Sequence, residues 1–237
     1  MQIDVSIIVP AYNEESEIRA TIGHILTAAI VSDLRHEVIV VNNDSTDSTQ
    51  DIINELKVKT VFLPKQENNT IAAVRNAGAK EANGKILLFI DADTWIPNNL
   101  IEEFYEKFQN EKVVCVGCKI MPRANIAWKA FFRTLNWIVN ASVKSGTAAI
   151  AGNCVAYRAD AFKKLNGFDE RMAASEDQDL SMRASKIGKV IFIRKLVAKT
   201  SARRLEKLGP IGLIRNWSET TYNLITKKKQ QKYLITR

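Results

Sequence analysis

A chain of 237 residues that is 46% hydrophobic and 25% charged can bury a sizeable core and is too apolar to be intrinsically disordered. Its formal charge of +8 and pI of about 9.4 favour an anionic partner: a nucleotide, a polyanion or an acidic membrane surface. Three cysteines do not make a disulfide framework, no secretory signal precedes the first strand, and no apolar run is long enough to span a bilayer. A cytoplasmic protein is expected, free or peripheral on the inner face of the membrane.

The elements follow from periodicity. Val5–Val9 is a short β-branched run and reads as a strand. Ile18, Ile22, Ile25, Leu26 and Ala29 recur at helical spacing within 15–30. Strands are expected over 37–41, 59–63 and 85–90, and helices after Ser45-Thr46-Asp47, over 72–82 and over 98–109. Asn83-Gly84 closes the third helix. This alternation implies a mostly parallel sheet with helices on both faces, and its near-continuous apolar strands suit double coverage. Val113–Cys118 is a further strand. Cys115 and Cys118 lie three apart on it, so they face opposite ways and read as core thiols rather than a redox or zinc pair. The spacings around His24 and His36 match no metal site.

The second half is less regular. It predicts an aromatic-rich helix over 125–140, one or two strands over 147–158, a short helix over 159–165 ended by Asn166-Gly167, a helix over 175–187 and a strand over 189–193. An amphipathic stretch over 211–226 leads into Lys227-Lys228-Lys229. The chain reads as one domain, 1–237, with a first half (1–110), a smaller mixed half (111–200) and a basic amphipathic tail (201–237).

Ligands of open parallel sheets bind beyond the carboxyl ends of the strands. Three such ends are polar: Pro10-Ala11-Tyr12-Asn13-Glu14-Glu15, Asn42-Asn43-Asp44-Ser45-Thr46-Asp47 and Asp91-Ala92-Asp93. The first has no glycine, which excludes a dinucleotide fingerprint or a P-loop there. Asp91 and Asp93, two apart on extended chain, should lean to one side, and their repulsion is relieved by a cation. An all-oxygen site completed by substrate phosphates suits Mg²⁺ or Mn²⁺.

Taken in order, these segments resemble family 2 glycosyltransferases of the GT-A fold. Val5–Glu14 is similar to their opening strand and loop, Val40–Thr49 to their second motif, Arg75-Asn76-Ala77-Gly78 to a third, and Asp91-Ala92-Asp93 to their D-x-D. Gly167-Phe168-Asp169-Glu170 followed by Glu176-Asp177-Gln178-Asp179-Leu180 resembles their acceptor-side segment. The resemblance implies an α/β GT-A architecture and an inverting transfer of one sugar from a nucleotide-sugar donor, UDP-linked, to a hydroxyl. It implies that Pro10, Ala11, Tyr12, Glu14 and Asn42 line the base and ribose and that Arg75 reaches the base or phosphates. Asp91 and Ala92 would lie at the ribose, Asp93 with Asp91 would hold Mn²⁺ or Mg²⁺, and Asp177 would be the catalytic base. Two positions depart from the pattern: Asn42 stands where the family has Asp, and Asp44 where it has Gly. The Q-x-x-R-W motif of processive members is missing.

Two other readings compete. A sugar-nucleotide pyrophosphorylase should carry a glycine-rich basic loop after its first strand, which Pro10–Glu15 lacks; a decayed nucleotide-binding protein would not need Asp91, Asp93 and Asp177 together. The acceptor is expected to be a glycan or a lipid-linked glycan. The aromatic helix reads either as a core or dimer helix or as an interfacial one, and an anionic membrane surface, not a nucleic acid, is the macromolecular partner expected.

Overall fold

The computed structural model describes residues 2–64, 70–203, 205–207, 209 and 212. Eight strands form one sheet in the order β3-β2-β1-β4-β7-β6-β8-β5. The first half follows the expected alternation: β1 (Val5–Ala11), α1 (Ile18–Ser32), β2 (His36–Asn42), α2 (Thr49–Leu56), β3 (Lys59–Phe62), α3 (Ile71–Lys80), β4 (Ile86–Ile90), β5 (Thr94–Trp95) and α4 (Leu100–Phe108). Strands β3, β2, β1 and β4 are parallel neighbours. Then come β6 (Val113–Pro122), α5 (Ile126–Lys144), β7 (Cys154–Arg158), α6 (Ala159–Lys164), α7 (Glu176–Ser185) and β8 (Lys189–Thr200). Strand β7 runs antiparallel to both β4 and β6, while β8 is parallel to β6 and antiparallel to β5. The sheet is therefore mixed and mostly parallel, with β7 and the two-residue β5 running against the other strands.

Alternation along the strands feeds two cores. Val5, Ile7 and Val9 join Ile18, Ile22 and Ile25 of α1, Phe104 of α4 and Phe132 of α5 on one face. Ile8, Ile39 and Phe89 join Ala72 and Val74 of α3, Phe162 of α6 and Leu180 of α7 on the other. Residues i and i+1 of a strand point opposite ways, so a continuous apolar run serves both layers. Cys115 and Cys118 of β6 lie in opposite cores, as their spacing on one strand requires, and Cys154 of β7 joins Cys118 in the first.

Several boundaries differ from the sequence reading. Thr147–Arg158 gives one strand, β7, and β8 continues seven residues past the expected end at Ile193, to Thr200, with a register shift against β6 between Cys118 and Lys119. Strand β5 has two residues, too short for any periodicity to reveal. Helix α5 extends to Lys144 and is docked by Asn136, whose side chain accepts from the Ile120 N–H at 3.0 Å and donates to the Ile120 carbonyl at 2.8 Å. No described helix is long and apolar enough to cross a membrane. Apart from Gly212, the amphipathic stretch 211–226 and the lysine run lie outside the described residues, as does Arg204.

Candidate active site

Strand β7 begins where β4 ends, with Ile90 opposite Cys154. An antiparallel insertion therefore brings the segment before β7 to the carboxyl edge of the parallel strands. There the Asp91 N–H donates to the Asn153 carbonyl at 3.1 Å. Asp91-Ala92-Asp93 is not extended chain: the Thr94 N–H donates to the Asp91 carbonyl at 2.9 Å, closing a turn. The extended-chain premise of the expectation that the two carboxylates share a side therefore does not hold, because a turn, unlike a strand, does not repeat every two residues. Each carboxylate has its own partners. Asp91 accepts from the Arg75 guanidinium at 2.7 Å and from the Asn153 amide at 2.9 Å. Asp93 accepts from the Thr200 and Thr94 hydroxyls at 3.2 and 3.3 Å, and its second oxygen faces Arg203 at 3.8 Å.

Arg75 is 3% exposed, and its guanidinium is held inside the molecule instead of reaching outward. Besides Asp91, it bonds Glu176 at 2.6 Å and the Gly152 carbonyl at 3.2 Å. The Gly152 N–H in turn donates to the Asp177 carboxylate, whose other oxygen accepts from the Gln178 N–H at 2.8 Å. A Cβ at Gly152 would stand 2.8 Å from both terminal nitrogens of Arg75, so only glycine permits this approach. Three carboxyls thus surround one guanidinium. Burial opposes the charge on Arg75, but Asp91, Glu176 and Asp177 more than offset it and hold the guanidinium protonated. The surplus negative charge falls on the acids. Burial, then repulsion by Asp177, pushes Glu176 up to about 7, and burial raises Asp177 above the usual carboxylate range.

The β1 and β2 loops are bound to each other. Asn13 accepts from the Thr46 N–H at 2.8 Å, and Glu15 accepts from the Ser48 N–H at 3.0 Å. Pro10 and Ala11 are buried, Tyr12 is half-buried, and Glu14 is 1% exposed, with its carboxylate on Arg203. Asn42 is 1% exposed, and its amide organises the loop: it accepts from the Ser45 N–H at 3.1 Å and hydroxyl at 2.7 Å, and donates to Gln50 at 2.7 Å. A carboxylate could not make that last bond. Asp44 has φ of 54°, the left-handed region that glycine enters freely and that Asp tolerates better than most residues. Both departures thus have local physical reasons.

Asp93 fits a divalent cation: it is an oxygen donor about a quarter exposed, 24% for its side chain. Asp91 already accepts from Arg75 and Asn153, which leaves it less free than Asp93 to take a cation. Among the described residues no three His, Cys, Asp or Glu side chains cluster as a metal site, so a cation here would draw its remaining ligands from phosphate and water.

A sequence model described as Glycosyl transferase family 2 matches residues 6–165. The chain belongs to glycosyl transferase family 2. Within that family it is 27% identical over 194 residues to the chondroitin synthase of Pasteurella multocida (strain Pm70), covering 81% of this chain but 20% of that protein. A mannosyltransferase from Pyrobaculum calidifontis, solved with GDP-Man and Mn²⁺, superposes with a TM-score of 0.68 at 22% identity, over 84% of this chain and 57% of that one. S. aureus TarS 1–349, solved with UDP-GlcNAc, superposes with a TM-score of 0.65 at 19% identity, over 84% of this chain and 58% of that one. The two superpositions establish the shared fold. The chain spans about a fifth of the Pasteurella synthase and less than two thirds of either solved chain.

The sequence motifs thus meet at one edge: Arg75 reaches Asp91 directly and Asp177 through Gly152, while Asp93 and Glu14 meet at Arg203. Glu176, Gly152, Asn153 and Asn76 carry site contacts that the sequence reading did not assign. Only Glu176 had a local signal, as an acid beside an acid. The others matter through chain separations of 25 to 94 residues.

Proposed function

We propose that the chain transfers one sugar per turnover from a nucleoside-diphosphate donor, UDP-linked, to a hydroxyl of a glycan or lipid-linked glycan, with inversion at the anomeric carbon. The observation that carries this reading is the Arg75 cluster, which ties the D-x-D turn of the first half to the acid-bearing helix α7 of the second. The bound donors of the Pyrobaculum and TarS structures, GDP-Man and UDP-GlcNAc, are of the same chemical class.

In this reading Pro10, Ala11 and Tyr12 form the floor for base and ribose, with Asp91 and Ala92 at the ribose side. Glu14 and Asn42 order that floor from within, since both side chains are buried and bonded. Arg75 likewise acts by holding Asp91. Asp93 would hold Mn²⁺ or Mg²⁺ on the diphosphate; the cation, when bound, offsets charge on the departing group. The Asp177 carboxylate takes the acceptor hydroxyl proton as the oxygen bonds to the anomeric carbon and the bond from that carbon to the phosphate oxygen breaks. Its raised pKa makes it a better proton acceptor than an ordinary aspartate.

Calorimetric titration with UDP, GDP and TDP, each with and without Mn²⁺, tests the donor side. Metal-dependent binding, tightest for UDP, is expected. No metal-dependent binding to any of the three would overturn the proposal, and preference for GDP would overturn the choice of base.

A further inference from the structure

Helix α5 has an outer face that the site does not use. Seven large apolar side chains are exposed among the described residues, and three are on this helix: Ile126 (81%), Trp137 (68%) and Ile138 (50%). At 100° per residue, Ile126, Ala130, Arg133 and Trp137 fall on one stripe, with Lys129 beside it. The opposite face packs through Phe132 and Asn136. From Ile126 to Lys144 there is no acidic residue, while Lys129, Arg133 and Lys144 are cationic and exposed.

This combination separates the candidate occupants. A helix face made for a second copy of the chain would put three cations against three cations if the copies met by two-fold symmetry, and that repulsion goes uncompensated where the helix has no acid. A globular partner's apolar face would leave Lys129 and Arg133 buried and unpaired. An anionic bilayer accommodates both parts. Its headgroups meet the lysines and the arginine, whose stems reach upward, while isoleucine and the tryptophan ring sink to the acyl boundary. Tryptophan is enriched at that depth because its ring is amphipathic. The net charge of +8 adds long-range attraction to such a surface.

The geometry points to α5 as an interfacial helix that seats the protein on anionic lipid. Its last turn is bonded to the segment leading into Gly152 and Asn153: Ser142 accepts from the Ala148 N–H at 3.0 Å through its carbonyl and from the Ala149 N–H at 3.1 Å through its hydroxyl. A membrane-seated α5 therefore fixes the lipid surface relative to the acceptor side of the site. Only that last link rests on the proposed function; the seating on lipid does not.

The test uses the full chain carrying Ile126→Cys, on the exposed stripe, with an environment-sensitive fluorophore; the three native cysteines are buried. The protein is mixed with vesicles of phosphatidylcholine alone or with a third phosphatidylglycerol, at physiological salt. Co-sedimentation and a blue shift of the label are expected with the anionic vesicles only. Lys129→Gln with Arg133→Gln should weaken partitioning roughly tenfold or more, and Trp137→Ser should weaken it as well. Sedimentation with an unshifted label would overturn the proposal, because another part of the chain would then hold the lipid. A blue shift without vesicles, accompanied by a doubled mass in sedimentation equilibrium, would overturn it in favour of a second copy. Nucleotide binding by these variants should equal that of the parent, which keeps failure here distinct from failure of the proposed function.

Discussion

Arg75 sits where charge is least evenly balanced, one guanidinium against Asp91, Glu176 and Asp177. Removing it leaves acids buried without a counter-charge, and Arg75→Ala should cost about 3–5 kcal/mol in urea unfolding. Glu176 is raised from 4.5 to about 7 in the folded chain. Its contribution to stability is therefore complete below about pH 4.5 and is lost as pH rises through about 7. Glu176→Gln should flatten the pH dependence of unfolding across that window. Asp177→Asn should reduce kcat at least about a hundredfold, as loss of a general base does, with nucleotide affinity retained. Sequence reading reached Asp177 and Arg75 by resemblance, but it placed Arg75 at the ligand. Burial and the Glu176 partner are products of tertiary packing that no local pattern encodes.

At the scale of elements, helix α3 shows why a four-residue motif holds together. Arg75 faces the acids, and Asn76 pairs with the backbone of Phe168 in both directions, at 3.0 and 2.9 Å. Gly78 lets the helix approach the sheet. A Cβ there would meet Ile8 at 2.5 Å and Val41 at 2.8 Å. Gly78→Ala sets a helix-propensity gain of about 1 kcal/mol against an overpacking cost of about 1–3 kcal/mol. The neighbours are branched side chains in a closed core, so the cost should win and the melting temperature should fall. Asn76→Ala should destabilise by about 1–3 kcal/mol, because it leaves buried backbone groups of Phe168 without partners. Helices α1 to α4 were legible because each has one apolar face. The D-x-D turn and two-residue β5 were not, because a turn closed by one hydrogen bond and a strand paired by two residues have no period to detect.

At the scale of the molecule, the parallel half was legible from alternation alone. The reversal at β7 was not, because strand direction depends on which neighbours a strand finds. That reversal places Glu176 and Asp177 of α7 against the Asp91–Asp93 turn at one sheet edge.

It has a further consequence for the chain between Pro122 and Cys154. β6 is parallel to β8 and antiparallel to β7, so this segment leaves and re-enters the sheet at one edge on adjoining strands. It hangs there as a cassette with two fixed hinges, and it contains all of α5. Closing such an excursion costs free energy that grows only with the logarithm of its length, so its exposed positions can be lengthened or exchanged without shifting the register of β4 or β7, provided that Phe132, Asn136 and Ile150, which pack it on the sheet, are kept. Grafting the exposed positions of 123–151 from another member of the family, with Phe132, Asn136, Ile150, Gly152 and Asn153 kept, should therefore redirect acceptor choice and leave nucleotide titrations unchanged.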